Sequence, residues 1–259
     1  MSFIKVDNVF KTYRSGRDTV VALSNLSISI ERGSFVNIIG GSGCGKTTLL
    51  NLLAGFERPD SGSVYIDGKP VEKPNFKHQT IFQSYGLLPW RTVAGNVALA
   101  LENLRGLTRR EKQAKIHHNL ELVGLQGYQN FYPHQLSGGM KQRVSIARAL
   151  AAEPDTIFMD EPFGALDAIN RMKLQDELIT ICELSNKTIV MVTHDVDEAV
   201  YLGDRVLVMK SNPGRLVLDI GINLSRPRHR NQGDFLSLRS KLLEALDLAS
   251  RPVPVEFSI

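Results

Sequence analysis

Long apolar runs are missing from this chain. No stretch of its 259 residues approaches the ~18 consecutive apolar residues that cross a bilayer, so any membrane role is expected to come through a partner. The opening Met1-Ser2-Phe3-Ile4-Lys5-Val6-Asp7 lacks the apolar centre of a secretory signal. Cysteine is scarce as well. Cys44 and Cys182 are the only two, too few for a disulfide framework, which points to a reducing cytoplasm. Neither charge sign dominates, since 31 Lys and Arg stand against 27 Asp and Glu. The one local basic cluster, Arg226-Pro227-Arg228-His229-Arg230, is short and has no interleaved aromatics, so it reads as a solvated loop and not as a nucleic-acid surface. Internal repeats, heptad tracts and low-complexity tracts are also missing. What remains is ordinary globular composition, 42% hydrophobic and 22% charged, long enough for one large α/β domain or two small ones.

Against that plain background one run stands out: Gly40-Gly41-Ser42-Gly43-Cys44-Gly45-Lys46-Thr47-Thr48. It fits the phosphate-loop pattern G-x-x-x-x-G-K-[ST] at every fixed position. Its flanks supply the context that the pattern needs. Phe35-Val36-Asn37-Ile38-Ile39 is a buried-strand run, and Leu49-Leu50-Asn51-Leu52-Leu53-Ala54 reads as a helix stopped at Gly55. Glycines let the backbone curl so that successive N–H groups face phosphate oxygens, and the helix N-terminus adds partial positive charge. Lys46 would then reach the β- and γ-phosphates, and the Thr47 hydroxyl would ligate Mg²⁺. The chain is expected to bind a nucleoside triphosphate. Cys44, near a helix N-terminus and Lys46, is expected to favour its thiolate.

The remaining pattern is that of an α/β protein. Ser24–Ile30 alternates polar and apolar residues like a half-exposed antiparallel strand, and Ser63–Gly68 reads as a strand running into a turn. From about residue 86 the texture turns helical, with Ile116, Leu120 and Val123 on one face, then Val144, Ala147 and Ala151 on another. Apolar runs return at 156–159, 188–192 and 205–209, separated by helical segments, as buried parallel strands joined by crossovers. Beyond Ser211, Leu216 to Leu224 alternate like a strand, and Phe235, Leu238, Leu242 and Leu246 fit one helix face.

Strand residues 156–159 deliver Asp160-Glu161 to the strand's carboxyl end, where open parallel sheets hold their ligands. Asp160 could hold Mg²⁺ against phosphates, and Glu161 could orient an attacking water as general base. Alone, an acidic pair is often only a solvated strand end. Leu136-Ser137-Gly138-Gly139-Met140-Lys141-Gln142-Arg143 leaves a hydroxyl and backbone N–H groups free at a helix start. That can be an anion site or a simple cap.

Taken in order, these pieces resemble the ATPases of ABC transporters. Ser137-Gly138-Gly139 looks like the family's signature motif, Asp160-Glu161 like Walker B with the catalytic glutamate, and Ala165-Leu166-Asp167 like the D-loop. Tyr13 is similar to the aromatic that stacks on the base, Gln83 to the glutamine that contacts Mg²⁺, and His194 to the histidine that meets the γ-phosphate. The likeness runs from about residue 3 to 210. Gly86-Leu87-Leu88-Pro89-Trp90-Arg91-Thr92-Val93, the stretch 161–168 and Asn212-Pro213-Gly214-Arg215 bring it closer to importers of nitrate, sulfonates and taurine. Gly41 departs from a common proline and Met140 from a common glutamine; neither removes a group that the chemistry uses.

The resemblance implies a P-loop NTPase fold with a RecA-like parallel sheet, an antiparallel β subdomain and a helical insertion. It implies a cassette over 1–235, with a helical subdomain at about 86–150 and a C-terminal appendage at 236–259. ATP and Mg²⁺ would be bound by Tyr13, the loop Gly40 to Thr48, Gln83 and Asp160, with Glu161 and His194 catalytic. Two cassettes would sandwich ATP head to tail, each loop facing the partner's Ser137, Gly138 and Gly139. Two permease subunits and, indirectly, a solute-binding protein would complete the assembly at the cytoplasmic face of the cell membrane, with no nucleic acid. Pro89 and Trp90 are candidates for the groove that receives a permease helix. A repair or translation cassette would need a coiled-coil insertion or tandem cassettes, and a small-molecule kinase would leave Ser137-Gly138-Gly139 unexplained.

Overall fold

The structure, a computed structural model, describes residues 2–16, 18–104 and 106–250. Two sheets dominate it. Strands β1 (Ile4–Ser15), β2 (Asp18–Ile30), β4 (Ser61–Ile66) and the short β5 (Lys69–Pro70) form an antiparallel sheet in the order β2-β1-β4-β5. The second sheet contains β3 (Phe35–Gly40), β6 (His78–Ile81), β7 (Thr156–Asp160), β8 (Thr188–Val192), β9 (Arg205–Lys210) and β10 (Arg215–Gly221), in the order β10-β9-β3-β8-β7-β6. All its pairings are parallel except β10 on β9. This is the expected α/β architecture, with the antiparallel β layer and helical insertion in place.

Why the central strands read as unbroken apolar runs follows from the pleat. Alternate side chains of β3 enter two different cores. Phe35 and Ile39 face one, Val36 and Ile38 the other. β8 divides the same way, Ile189 and Met191 against Val190 and Val192, and every residue of β8 is buried. One core lies under the antiparallel sheet and α1 (Lys46–Ala54). The other lies under the helical insertion, α2 (Val93–Ala98), α3 (Arg109–Leu122) and α4 (Gly138–Ala151), together with α5 (Ala168–Ser185), α6 (Val196–Leu202) and α7 (Gly233–Ser250). A sheet covered on both faces has no polar side to display.

Helix ends follow local chemistry. Thr108 and Glu111 form a reciprocal capping box on α3, and α1 stops at Gly55, whose φ of 77° suits glycine. The C-terminal segment is integrated with the core. β10 extends the parallel sheet, and α7 buries Phe235 and Leu242 against it. Of the proposed appendage 236–259, the last nine positions lie outside the described residues.

The basic cluster at 226–230 corrects the expectation of a solvated loop. An α-helix leaves its last four carbonyls without internal partners. At the end of α6 all four are met by side chains, Ala199 O in addition to the Gly203 N–H at 3.2 Å. Asn37 donates to Ala199 O at 2.8 Å, Arg228 to Val200 O at 2.7 Å and Tyr201 O at 3.1 Å, and Arg226 to Leu202 O at 2.6 Å. Arg228 also donates to Gly203 O at 2.6 Å and Leu224 O at 3.2 Å. Arg230 lies over the Tyr201 ring, 3.6 Å from its centroid. The cluster is a guanidinium cap, held in by the negative end of α6.

Candidate functional site

The phosphate loop leaves β3 at Gly40 and enters α1 at Lys46. Two of its glycines have no substitute. A Cβ at Gly40 would stand 2.5 Å from both Cys44 Sγ and Met209 O, and Gly45, at φ 91°, would meet Ala22 O at 2.7 Å. Gly41 is different: a Cβ there meets nothing closer than 3.9 Å, so this position does not need glycine. The Lys46 ammonium donates to Gly40 O at 2.9 Å and Gly41 O at 3.0 Å, which holds it over the loop.

Cys44 overturns the thiolate expectation. Its side chain is fully buried, and burial pushes the thiol's pKa up, outweighing the pull of Lys46 in the other direction. The cysteine packs as a small apolar residue in the core beneath the antiparallel sheet.

β7 and β8 bring the acidic pair and the histidine to the same edge. The Thr47 hydroxyl lies 3.3 Å from Asp160 Oδ2. Burial raises the Asp160 pKa, the Thr47 contact opposes this, and the neighbouring Glu161 charge adds to it. Glu161 adopts a φ of 45°, uncommon for a residue with a side chain, while its N–H donates to Val192 O at 2.9 Å. That bond ties the turn after β7 to the end of β8. Two residues past Val192, the His194 Nδ1 stands 3.2 Å from Glu161 Oε2. Gln83 follows β6, and its amide and the Glu161 carboxylate both border Gly164.

Thr47, Glu161 and His194 border an open cleft of about 550 Å³, whereas Gly41, Gln83 and Asp160 are not on its lining. Its lining comprises Gly40, Ser42 and the loop onward to Thr48, with Glu161 and His194 on one side and Tyr13, Val20 and Ala22 on the other. Tyr13 and Val20 are cross-strand partners of the β1–β2 hairpin. Val20 and Ala22 escape sequence reading because nothing but the hairpin register marks them. The Tyr13 hydroxyl donates to Glu57 at 2.5 Å, leaving the ring at the rim.

Ser137, Gly138 and Gly139 are not on this lining. Ser137 caps α4, its Oγ accepting the Met140 N–H at 3.3 Å. Gly138 lies against Tyr85 and the Ala165 carbonyl, beside the loop that leads from Glu161 to Asp167. Asp167 caps α5.

A separate groove of about 460 Å³ lies between β6 and the helical insertion. It is lined by Phe56, Phe76, Phe82, Leu99 and Arg148 among others. Pro89 and Trp90 are not part of its lining. Asn96 explains why: its side-chain amide donates to the Leu88, Arg91 and Thr92 carbonyls, and its Oδ1 accepts the Leu88 N–H. The turn is thereby fixed to α2, and Trp90 is left 71% exposed.

Known proteins resemble this chain over most of its length. A family model described as ABC transporter matches residues 23–164. The nitrate import ATP-binding protein NrtD of Synechococcus elongatus is 45% identical over 250 residues, covering 94% of this chain and 91% of that protein. The aliphatic sulfonates import ATP-binding protein SsuB of Bacillus thuringiensis subsp. konkukian is 41% identical over 244 residues, 94% of this chain and 96% of the other. Among solved structures, the ATP-binding cassette MJ0796, a dimer in a post-hydrolysis state bound to ADP and Pi, superposes with a TM-score of 0.77. It is 35% identical and covers 86% of this chain and 100% of its own.

Proposed function

The chain belongs to the ABC transporter family, and from that membership we propose that it is the ATP-hydrolysing subunit of an importer for a small oxyanion, a sulfonate such as taurine or nitrate. The observation that carries the reading is the meeting of Glu161 and His194 at 3.2 Å on the rim of the phosphate-loop cleft. In this reading the loop N–H groups, Gly40 to Thr48, cradle the phosphates, and Lys46 places its charge on the β- and γ-groups. Tyr13 stacks on the base. The Glu161 carboxylate accepts a proton from a water aligned with the γ-phosphorus, so that ADP leaves as phosphate forms. His194, held by Glu161 through Nδ1, turns Nε2 to a γ-phosphate oxygen, to which it donates as an imidazolium with a proton on each nitrogen.

The donor set also suits Mg²⁺. The Thr47 hydroxyl and the Asp160 carboxylate are hard oxygen ligands 3.3 Å apart, and Asp160, raised by burial, gains from a cation beside it. Gln83 borders the same region. When bound, the ion would neutralise charge on the phosphates; Thr47, Gln83 and Asp160 would hold it.

Ser137, Gly138 and Gly139 lie off the chain's own cleft, which supports their completing a second cassette's site in a homodimer. The groove of Phe56, Phe76 and Phe82 suits a short apolar helix of a permease subunit, with Gln83 adjoining Phe82 and so relaying its position to the cleft. Through two such permeases the chain would sit at the cytoplasmic face of the cell membrane, with a solute-binding protein acting at a distance.

Two experiments test the proposal. Glu161→Gln should retain ATP and lose hydrolysis by about 10²–10⁴-fold, the usual contribution of a general base, and should trap an ATP-bound dimer on a sizing column. Native turnover would refute the base assignment. For the solute, deleting the gene should abolish growth on taurine or an alkanesulfonate as sole sulfur source and spare growth on sulfate. Lost growth on nitrate as sole nitrogen source would select nitrate, and loss of neither would remove the oxyanion assignment.

A further inference from the structure

Beyond the contact of its own side chain with Glu161, the turn on which the exposed His194 stands is held by its two neighbours. The Thr193 hydroxyl donates to Glu198 Oε2 at 2.7 Å, and the same hydroxyl oxygen accepts the Asp195 N–H at 3.1 Å. Glu198 is buried, 6% exposed, one turn into α6. Its second oxygen accepts from Gln175 Nε2 at 3.1 Å, and Gln175, itself 1% exposed, accepts from Arg230 at 2.6 Å. Arg171 completes the cluster. It lies 3.8 Å from Glu198 and 3.6 Å from Asp195, and it donates to Leu166 O at 3.1 Å. Leu166 belongs to the turn that begins at Glu161.

We propose that Glu198 and Arg171 are positioning residues for ATP hydrolysis, a brace that locks the His194 turn to the Glu161 turn and anchors both to the C-terminal segment through Gln175 and Arg230. The inference rests on the assignment of Glu161 and His194 made above.

The physical case begins with cost. A carboxylate is seldom buried without a reason, because desolvation disfavours its charge. Burial raises the Glu198 pKa here, and the Thr193 hydroxyl and Arg171 oppose that rise. An apolar side chain would fill this space without that burden. What it could not do is hold the Thr193 hydroxyl and the Arg171 guanidinium together. Arg171 contacts both turns, through Leu166 O on one side and Asp195 with Glu198 on the other, beneath the direct contact of Glu161 with His194. The Glu161–His194 pair is therefore supported from below by two opposed charges on α5 and α6, alongside the Glu161 N–H bond to Val192 O. Misplacing a catalytic group by about 1 Å can cost about 10²-fold in rate without touching substrate binding. Loss of the brace should accordingly fall on kcat, because the loop residues that hold the phosphates lie outside the cluster.

The test uses the full chain, with phosphate release measured against ATP concentration, binding of a fluorescent ATP analogue, and thermal unfolding. Glu198→Gln removes the charge and keeps the shape. Thr193→Val removes the hydroxyl and keeps the shape, and Thr193→Ser restores it. The expected result is a fall in kcat of at least about tenfold for Glu198→Gln and Thr193→Val, with KM and analogue affinity within about twofold of native. Thr193→Ser should recover most of the loss. A folded Glu198→Gln or Thr193→Val with kcat within about twofold of native, whatever its unfolding temperature, would overturn the brace while Glu161→Gln remains inactive. Native turnover in Glu161→Gln would instead overturn the site assignment, and this inference with it.

Discussion

Replacing Arg228 with methionine should destabilise the fold far more than its place in a polar, Pro-containing cluster suggests. The side chain is 2% exposed and donates to four carbonyls, at Val200, Tyr201, Gly203 and Leu224. Burial pushes the guanidinium's pKa down to about 10, so it carries a desolvation cost yet stays charged at neutral pH. Methionine would recover that cost and fill similar volume. It would also orphan carbonyls at the end of α6, each worth about 1–3 kcal/mol when left without a donor. Water reaching part of the gap would lower the sum, so a net loss of about 3–5 kcal/mol is expected, the range for removing one partner from a buried charged arrangement. At about 2–4 °C per kcal/mol for a chain of roughly this size, the melting temperature should fall by about 10 °C. Circular dichroism during heating measures it, with exposed His229→Ala as the comparison. Arg228→Lys should be intermediate, because an ammonium cannot span the same carbonyls. A fall of under about 2 °C for Arg228→Met would refute the cap, and the cluster would return to being a surface loop.

Three further outcomes are expected. In mixed dimers, Ser137→Arg on one chain paired with Lys46→Ala on the other should leave one intact site and roughly half the activity, whereas both changes on one chain should damage both sites; equal activities, read by phosphate release, would argue for a site complete within one chain. Maleimide should leave Cys44 unlabelled in the folded chain and label it only on unfolding; rapid labelling that Mg-ATP blocks, seen by mass spectrometry, would contradict the burial argument. Thr108→Ala should cost about 1 kcal/mol by opening the capping box on α3, and an unchanged melting temperature would show that the helical insertion unfolds independently of the rest.

What can be read from the chain alone depends on how local the determining physics is. The β3–loop–α1 unit is legible because strand, glycines, lysine and cap lie within twenty residues and each constrains the next. β7, β8 and β9 are legible because a doubly covered strand cannot hide its apolar run. Arg226 to Arg230 are misleading for the opposite reason. The same five residues would serve as a solvated loop, and only the orphan carbonyls of α6, more than twenty residues upstream, decide otherwise. Cys44 fails similarly: its neighbours give the sign of the electrostatic effect, while burial acts in the other direction and is visible only in the fold. Trp90 depends on Asn96, which reads as one polar residue in a six-residue helix. Tyr13, Gln83 and His194 have no local signature, and family likeness alone singles them out.

The cleft's outer wall carries a consequence for fuel choice. Tyr13, Val20 and Ala22 offer a ring and two small apolar side chains, and the one hydroxyl among them is committed to Glu57. A flat ring reads the flatness of a base and not the donors and acceptors along its edge. If Tyr13 stacks on the base, guanine should serve nearly as well as adenine. Selectivity for ATP would then be a property of the cell's nucleotide supply, and GTP offered alone should drive the same turnover.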